Sequence, residues 1–359
     1  MIRKLIHNIG LIAVVLTALA SPTALRADEA EAVDAKGIIF EHLGDHYGWE
    51  VPFMHETYVP LPVIVRDAEG SWHCFSSRRL EHGASYDGFH IAHGGDNNGK
   101  VVGTDATGAE YRPLDLSITK NVAALIIAAL LVAWAATSVL RWYRRNPMKA
   151  PRGVRGSMEV IVEMIYFDVI RSNLGSQAKR FAPYLLTVFF LIFFMNLLGL
   201  IVIFPGGANL TGNLAVTLTL ALCTFVLTNV TKSKHYWKEI FWPDVPIWLK
   251  CPIPIMQAIE VFGVFTKPAA LTVRLFANMM GGHMIVIVLT LLIFIFGAFG
   301  AAVTGLTTVF SVAFSLFMVT LDLLVSFIQA FVFTMLSTLF ISMAHPDESH
   351  EHHAAAEAA

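Results

Sequence analysis

One arginine stands almost alone in a long apolar part of this sequence. Between Lys267 and Asp347 the chain has 79 residues, and only Arg274 and Asp322 among them carry a formal charge. An ionised side chain at the bilayer centre costs about 2.5–3.5 kcal/mol on insertion scales. A guanidinium, with a pKa above about 12, does not lose its proton to avoid that cost. Arg274 is therefore predicted to meet an anion on a partner; the alternatives are snorkelling to an interface or a structural ion pair within the bundle.

Two other polar side chains share the segment "TVRLFANMMGGHMIV" (272–286) with Arg274. Asn278 follows Arg274 by four residues, so both are expected on one face of a helix. His283 follows Arg274 by nine residues, and about 100° of rotation per residue turns it to nearly the opposite face. Arg274 and His283 are therefore predicted to face different surroundings.

A polar stripe is predicted on the next apolar segment, where Asp322, Ser326 and Gln329 recur at i, i+4 and i+7. With a rise of about 1.5 Å per residue, His283 lies about 13 Å beyond Arg274, and Asp322 lies about 10 Å from Gln329. If Gln329 is level with Arg274, then His283 and Asp322 reach a similar depth. Because histidine titrates near neutral pH, this pair is predicted to relay protons; the alternative is a buried structural pair.

Glu260 precedes Arg274 on the opposite side from His283. It either lines a second access route to Arg274 or neutralises Lys267 or a loop. The residues alone leave both interpretations open.

The composition is that of a membrane protein. Of the 359 residues, 55% are hydrophobic and 14% charged, against about 25% charged in soluble domains. The net charge of −2, without a basic block, gives no reason to expect nucleic-acid binding. The three cysteines are widely spaced and provide no framework for zinc or disulfides, so no metal is predicted.

Uncharged runs predict the elements that position these residues. An uncharged run at 121–140 has the length of one spanning helix. The uncharged run at 181–231 holds two helices, joined by the turn "PGGANLTGN" (205–213). Two long helices follow, the first beginning near Pro268, with glycines at 297, 300 and 305 marking the turn between them. The predicted fold is an all-α polytopic membrane protein with about five transmembrane helices, the last two forming a long hairpin.

Charge patterning predicts the orientation and the domain limits. The basic cluster "RWYRRNPMKAPRGVRG" after the first span is expected in the cytoplasm, and the charged amphipathic segment 157–172 is expected to lie along the cytoplasmic surface. Arg3 and Lys4 before a short apolar run indicate a signal peptide, with an uncleaved anchor as the alternative. The predicted regions are a signal peptide (1–27), an exported region of unknown fold (28–116), a transmembrane domain (117–345) and a disordered His-rich tail (346–359).

Several segments together resemble a known family. "KPAALTVRLFANMMGGH" and "IQAFVFTMLSTLFISMAH" resemble signature segments of subunit a of the F-type ATP synthases, and "FFLIFFMNLLGLI" and "IEVFGVFTKP" resemble its middle segments. The resemblance covers roughly residues 115–345, in order and with matching spacing. It is far more specific than a single short motif.

The resemblance implies roles for these residues. Arg274 matches the family's essential arginine, which faces the rotating ring of c subunits and separates two offset half-channels. Asn278 and Gln329 match polar residues near that arginine, and Glu260 matches a carboxylate of an access channel. His283 and Asp322 match a pair that reads Glu and His, in that order, in many bacterial members. The acid and the imidazole are therefore exchanged here between the two helices.

The resemblance further implies the proton-translocating subunit of a rotary ATP synthase in a bacterial inner membrane, with the N-terminal region periplasmic and the C-terminus cytoplasmic. The expected partners are the c-subunit ring, b-type peripheral stalk subunits and the lipid bilayer. The transported ion is expected to be H⁺. No catalysis on this chain and no cofactor are expected, and no phosphate-binding glycine loop is present. Two rival functions are an ion-coupled secondary transporter whose Arg274 binds an anionic substrate, and a non-transporting membrane scaffold.

Overall fold

The structure is a computed structural model. It describes residues 44–50, 58–92, 94, 97–105, 108–201, 207–231, 255–297 and 301–344. The predicted signal peptide and the His-rich tail lie outside the described residues. The chain divides into two compact units, and the larger consists of Leu43–Gly281 with Asp322–Ala359. In the described part of the chain, the smaller unit is Gly282–Leu321.

The N-terminal part of the larger unit is a β-region, whose fold the sequence did not predict. Alternation in "PVIVR" buries Val63 and Val65 and turns the residues between and beside them outward. All its sheets are antiparallel, with strand orders β1-β2, β4-β3-β8 and β5-β6-β7. The strands are β1 (Gly48–Glu50), β2 (Tyr58–Pro60), β3 (Pro62–Arg66), β4 (Trp72–Ser76), β5 (Phe89–Ile91), β6 (Val101–Thr104), β7 (Glu110–Tyr111) and β8 (Leu114–Asp115).

The first apolar helix, α1 (Lys120–Arg145), is fastened to this β-region at its N-terminus. The Thr119 side chain caps the helix by accepting from the Val122 amide. The amide of Asn121 donates to the Asp45 carboxylate at 3.1 Å, and that of Lys120 donates to the His46 carbonyl at 2.9 Å. Three of the orphan donors of the first turn are therefore satisfied.

Two helices of different character follow α1. Helix α2 (Val154–Met164) has no fully buried residue, and it continues as a π-helical segment, Ile165–Arg171. Short helical turns then lead into α3 (Ala178–Leu200). The predicted surface segment 157–172 is therefore helical. Helix α4 (Leu214–Val230) comes next and begins with an Asn213 cap.

The last two helices are long, and one predicted boundary is wrong. Helix α5 spans Ile255–Gly297 and α6 spans Ala301–Ala344. Pro268 was expected near the start of a helix but lies inside α5. A proline removes one backbone donor, and membrane helices tolerate this where nearby side chains satisfy the backbone. The carbonyl that Pro268 leaves without its amide donor is that of Val264, whereas Thr272 Oγ1 donates to the Pro268 carbonyl at 2.9 Å, as threonine commonly does within a helix.

The glycine-marked turn is shorter than expected. Gly305 lies inside α6 and not in a turn, since α6 begins at Ala301. The three residues between α5 and α6 lie outside the described residues.

Helix α3 is the centre of the larger unit. Its buried residues include Leu185, Phe189 and Ile192, which belong to the main hydrophobic core. The ring of Phe327 on α6 packs against Phe189 at 5.8 Å and Phe193 at 6.0 Å between centroids. These contacts hold the C-terminal half of α6 against α3.

The predicted class of fold, an all-α polytopic membrane protein, is confirmed. Four described stretches are long and apolar enough to cross a membrane: Lys120–Arg145, Val154–Leu200, Phe262–Phe296 and Val303–Met343. Leu214–Val230 is a shorter apolar helix. The count of five spans remains a prediction.

Candidate functional site

Arg274 lies on the exposed face of α5. The neighbouring side chains of Leu271 and Leu275 are buried, whereas Val273 and Arg274 are exposed. Within the described part of the chain, no hydrogen bond or ion pair reaches the Arg274 guanidinium. The helix therefore directs a permanent cation away from its own packing surface.

Asn278 shares that exposed face, as the i, i+4 spacing predicts. Its Nδ2 donates to Oε1 of Gln329 at 2.9 Å, and Gln329 is buried on α6. Gln329 is thus paired with Asn278 and not with Arg274. It lies one helical turn beyond Arg274, whereas the sequence suggested that the two were level. This hydrogen bond joins α5 to α6 one turn away from the cation.

The predicted polar stripe on α6 lies on one side of that helix. Ser326 and Gln329 are buried, and Asp322 is half-buried. The Ser326 hydroxyl donates to the backbone carbonyl of Asp322 at 2.6 Å. The stripe therefore runs from the buried Gln329 and Ser326 to the half-buried Asp322.

A second buried polar group was not predicted. Asn196 of α3 is 1% exposed, and its Nδ2 donates to the Ser326 carbonyl at 3.4 Å. The hydroxyl of Thr211, which is fully buried, donates to Asn196 Oδ1 at 2.7 Å. Asn209 turns back to accept from the Gly212 amide at 3.0 Å. The signal for this group was present in the sequence, because an amide in the run "FFMNLLGL" and three polar residues in "ANLTGN" interrupt otherwise apolar segments.

Two other predicted site residues are placed but not tested. His283 is half-buried in the smaller unit, whereas Asp322 belongs to the larger one, and their pairing stays a prediction. Glu260 lies on α5, and its side chain is outside the described part of the structure. The Lys267 ammonium, one of its suggested partners, lies over the Phe340 ring at 5.6 Å from the centroid.

The chemistry of this arrangement is electrostatic. An exposed guanidinium can bind an anion presented by another molecule, and the nearby amide pair can fix the helix that carries it. Among the described residues, no group of three or more His, Cys, Asp or Glu side chains is arranged to hold a metal ion.

The family model described as ATP synthase A chain matches residues 122–342, which include the helices and the polar residues above. The chain belongs to the ATP synthase A chain family. Its match and its apolar helices identify a membrane protein of ATP synthesis and ion transport. A separate model, described as a domain of unknown function (DUF8433), matches residues 38–117.

The names of similar curated proteins agree with the family match. A protein named ATP synthase subunit a from Pelodictyon phaeoclathratiforme is 41% identical over 249 residues, which cover 67% of this chain and 69% of the relative. The protein of the same name from Chloroherpeton thalassium is 41% identical, with 68% and 72% covered. That from Myxococcus xanthus is 43% identical, with 67% and 78% covered.

Proposed function

We propose that this chain is the proton-translocating subunit a of an F-type ATP synthase, and that Arg274 couples proton flow to rotation of a c-subunit ring. The observation that carries the proposal is the exposed guanidinium on an apolar helix, which no described residue of this chain neutralises. A cation at this depth is most stable beside an anion, and here that anion is supplied by another chain.

The guanidinium acts on the ring by charge alone. A carboxyl group of the ring that arrives beside Arg274 is favoured in its ionised state, because an opposite charge within about 4–6 Å lowers a carboxyl pKa. It releases its proton there and takes up another after passing Arg274. The permanent positive charge also opposes passage of a proton directly between the two sides.

Two half-channels serve the ring in this proposal. Protons enter from the periplasmic side past Asp322 and His283 and leave towards the cytoplasm past Glu260. The hydrogen bond between Asn278 and Gln329 supports the proposal by fixing α5 against α6 beside the coupling residue. The chain itself performs no catalysis and needs no cofactor, since its task is to conduct protons to and from the ring and to block their direct passage between the two half-channels.

The proposal also includes the setting of the chain. It is a multi-pass protein of the bacterial inner membrane, with residues 28–116 in the periplasm, following a signal peptide, and the C-terminus in the cytoplasm. Its partners are the c ring and b-type peripheral stalk subunits. The basic cluster after α1 supports this orientation by the positive-inside rule.

Replacing Arg274 tests the function directly. The Arg274→Ala complex is expected to assemble but to lose ATP-driven proton pumping in membrane vesicles. Arg180→Ala is the matched control, because Arg180 is an exposed arginine at the start of α3 and is expected to leave pumping intact. Coupled pumping by the assembled Arg274→Ala complex would refute the proposal.

Exchanging the relay residues tests the periplasmic half-channel separately. The double change His283→Glu with Asp322→His keeps one acid and one imidazole and restores the order common in bacterial relatives. It is expected to pump better than either single variant. A double variant no better than the singles contradicts the pairing while leaving the role of Arg274 intact.

A further inference from the structure

The second sheet of the β-region, β4-β3-β8, is apolar on both of its faces. Val63, Val65 and Phe75 point into the hydrophobic core of the region. Antiparallel sheets with one buried face normally present polar side chains on the other. The second face of this sheet carries mainly apolar side chains, so it requires an explanation.

Strand register defines that second face. Ile64 pairs with Cys74, and Arg66 pairs with both Trp72 and Leu114, so these side chains share one side of the sheet. The amide of Leu116 donates to the Ile64 carbonyl at 2.9 Å and extends the same row. We call this surface the Trp72 face; it consists of Pro62, Ile64, Arg66, Trp72, Cys74, Ser76, Leu114 and Leu116.

The Trp72 face is exposed despite its apolar character. Trp72 is 54% exposed, Leu114 56% and Leu116 58%, and Cys74 is also exposed. Apolar surface of this kind, with Arg66 and Ser76 as the two polar residues among eight, marks an interaction site.

The position of the face in the chain indicates what covers it. Leu116 precedes the first residue of α1 by four residues, or about 13 Å of extended chain. The first turns of α1 are also apolar and exposed, at Val122 (41%) and Ile126 (47%). The Trp72 face is therefore joined by a short stretch of chain to the N-terminus of a spanning helix, and the hydrogen bonds of the Asn121 and Lys120 amides to Asp45 and His46 hold the β-region at that end of the helix.

The polar groups of the face suit a phospholipid surface. The Arg66 guanidinium lies over the Trp72 ring at 5.7 Å from its centroid, and the two form one amphipathic unit. Tryptophan is enriched at membrane interfaces, where its ring sits among the headgroups. Arg66 and Arg112 both line the cleft at this edge of the sheet, together with Asp67, so cationic groups outnumber the acid there.

We propose that the Trp72 face lies on the phospholipid headgroup layer, on the side of the membrane where α1 begins. The exported region is thereby held flat against the membrane and not extended into the periplasm. The proposal concerns the β-region alone and does not depend on the role of Arg274.

Cys74 provides the test, because its thiol is free and exposed on the face, between Trp72 and Ser76 of β4. A nitroxide is attached to Cys74 in a Cys223→Ser, Cys251→Ser background. The full chain, with the subunits that copurify with it, is reconstituted into vesicles of phosphatidylethanolamine and phosphatidylglycerol. Power-saturation EPR then compares collisions of the label with oxygen, which partitions into lipid, and with a water-soluble nickel chelate. The control label is placed by Lys100→Cys in the same background with Cys74→Ser added, at an exposed position before β6 of the other three-stranded sheet.

The oxygen-to-nickel ratio at Cys74 is expected to exceed that of the Lys100→Cys control several-fold. Adding Trp72→Ser and Leu114→Ser should lower the Cys74 ratio to the control value while leaving the control unchanged. A nickel accessibility at Cys74 equal to that of the control would overturn the proposal in favour of a water-exposed face. Low accessibility to both reagents would overturn it in favour of a protein partner.

Discussion

The hydrogen bond between Thr211 and Asn196 links the segment before α4 to the middle of the bundle, and its worth can be measured by a double-mutant cycle. Both side chains are shielded, with exposures of 0% and 1%. Thr211→Val removes the donor at nearly constant shape and leaves Asn196 Oδ1 without it. An unsatisfied buried polar atom costs about 1–3 kcal/mol, and hydrogen bonds between membrane helices average about 0.6 kcal/mol, with a maximum near 1.7. We expect about 1 kcal/mol for Thr211→Val.

Asn196→Leu should cost slightly more than Thr211→Val, because it leaves the Thr211 hydroxyl buried without an acceptor. Its second bond, to the Ser326 carbonyl, is long at 3.4 Å and adds little. In the double variant neither polar atom remains. The double variant should therefore be more stable than the sum of the singles predicts by about 1 kcal/mol, roughly a fivefold change in the unfolding equilibrium.

The assay is reversible unfolding of the chain in mixed lipid–detergent micelles, followed by circular dichroism during an SDS titration. Thr219→Val is the matched control, because Thr219 is exposed on α4 and donates only to the Ala215 carbonyl of its own helix. It should change stability little. Strict additivity of the two single variants would show that Thr211 and Asn196 are not coupled and would refute the reasoning.

Three further predictions concern other contacts. Gln329→Leu should lower ATP-driven pumping several-fold because it leaves Asn278 unpaired, and exchanging the two residues as Asn278→Gln with Gln329→Asn should recover part of that loss; equal loss in the exchanged pair would contradict it. The Tyr111 hydroxyl donates to Asp67 and, with the Ala68 amide, holds the pKa of that carboxyl below its usual value. Such a group stabilises the fold above its unfolded-state pKa and loses that contribution as the pH falls through its folded-state pKa, so Tyr111→Phe should show a smaller drop in thermal midpoint on acidification, and an unchanged drop would refute the link. A Cβ on Gly103 would lie 2.6 Å from the Tyr111 ring, so Gly103→Ala should displace that ring and raise the Asp67 pKa in an NMR titration of the carboxyl carbon, as Tyr111→Phe does.

The parts of the site that the sequence predicts are those governed by helical periodicity. Arg274 and Asn278 share a face because they are one turn apart, and Ser326 and Gln329 do so for the same reason. The spanning helices follow from uncharged runs, because each charge at membrane depth is costly. Local rules of this kind need no knowledge of the partners.

Contacts between segments could not be predicted in this way. No period in the sequence indicates that Asn196 meets Thr211, or that Gln329 meets Asn278 and not Arg274, because these depend on how helices pack. The predicted helix start near Pro268 was wrong for a related reason: a proline usually marks a helix boundary, but in α5 the helix continues through it. The β-region escaped prediction because most of its strands are only two to four residues long, so that beyond β3 they are too short to show a clear alternation.

The hydrogen bonds that cap α1 have a consequence for how this protein can be cut or recombined. Lys120 and Asn121 lie between the two matched segments, 38–117 and 122–342, and their amides are satisfied by His46 and Asp45 of the first segment. Trp49 of β1 belongs to the same hydrophobic core as the helices. A truncated chain that begins at Thr119, the N-cap residue of α1, would lose the two caps from Asp45 and His46 together with that tryptophan. The β-region is therefore not an interchangeable module, and transplanting the helices into another scaffold requires residues 45–49 or a substitute for them.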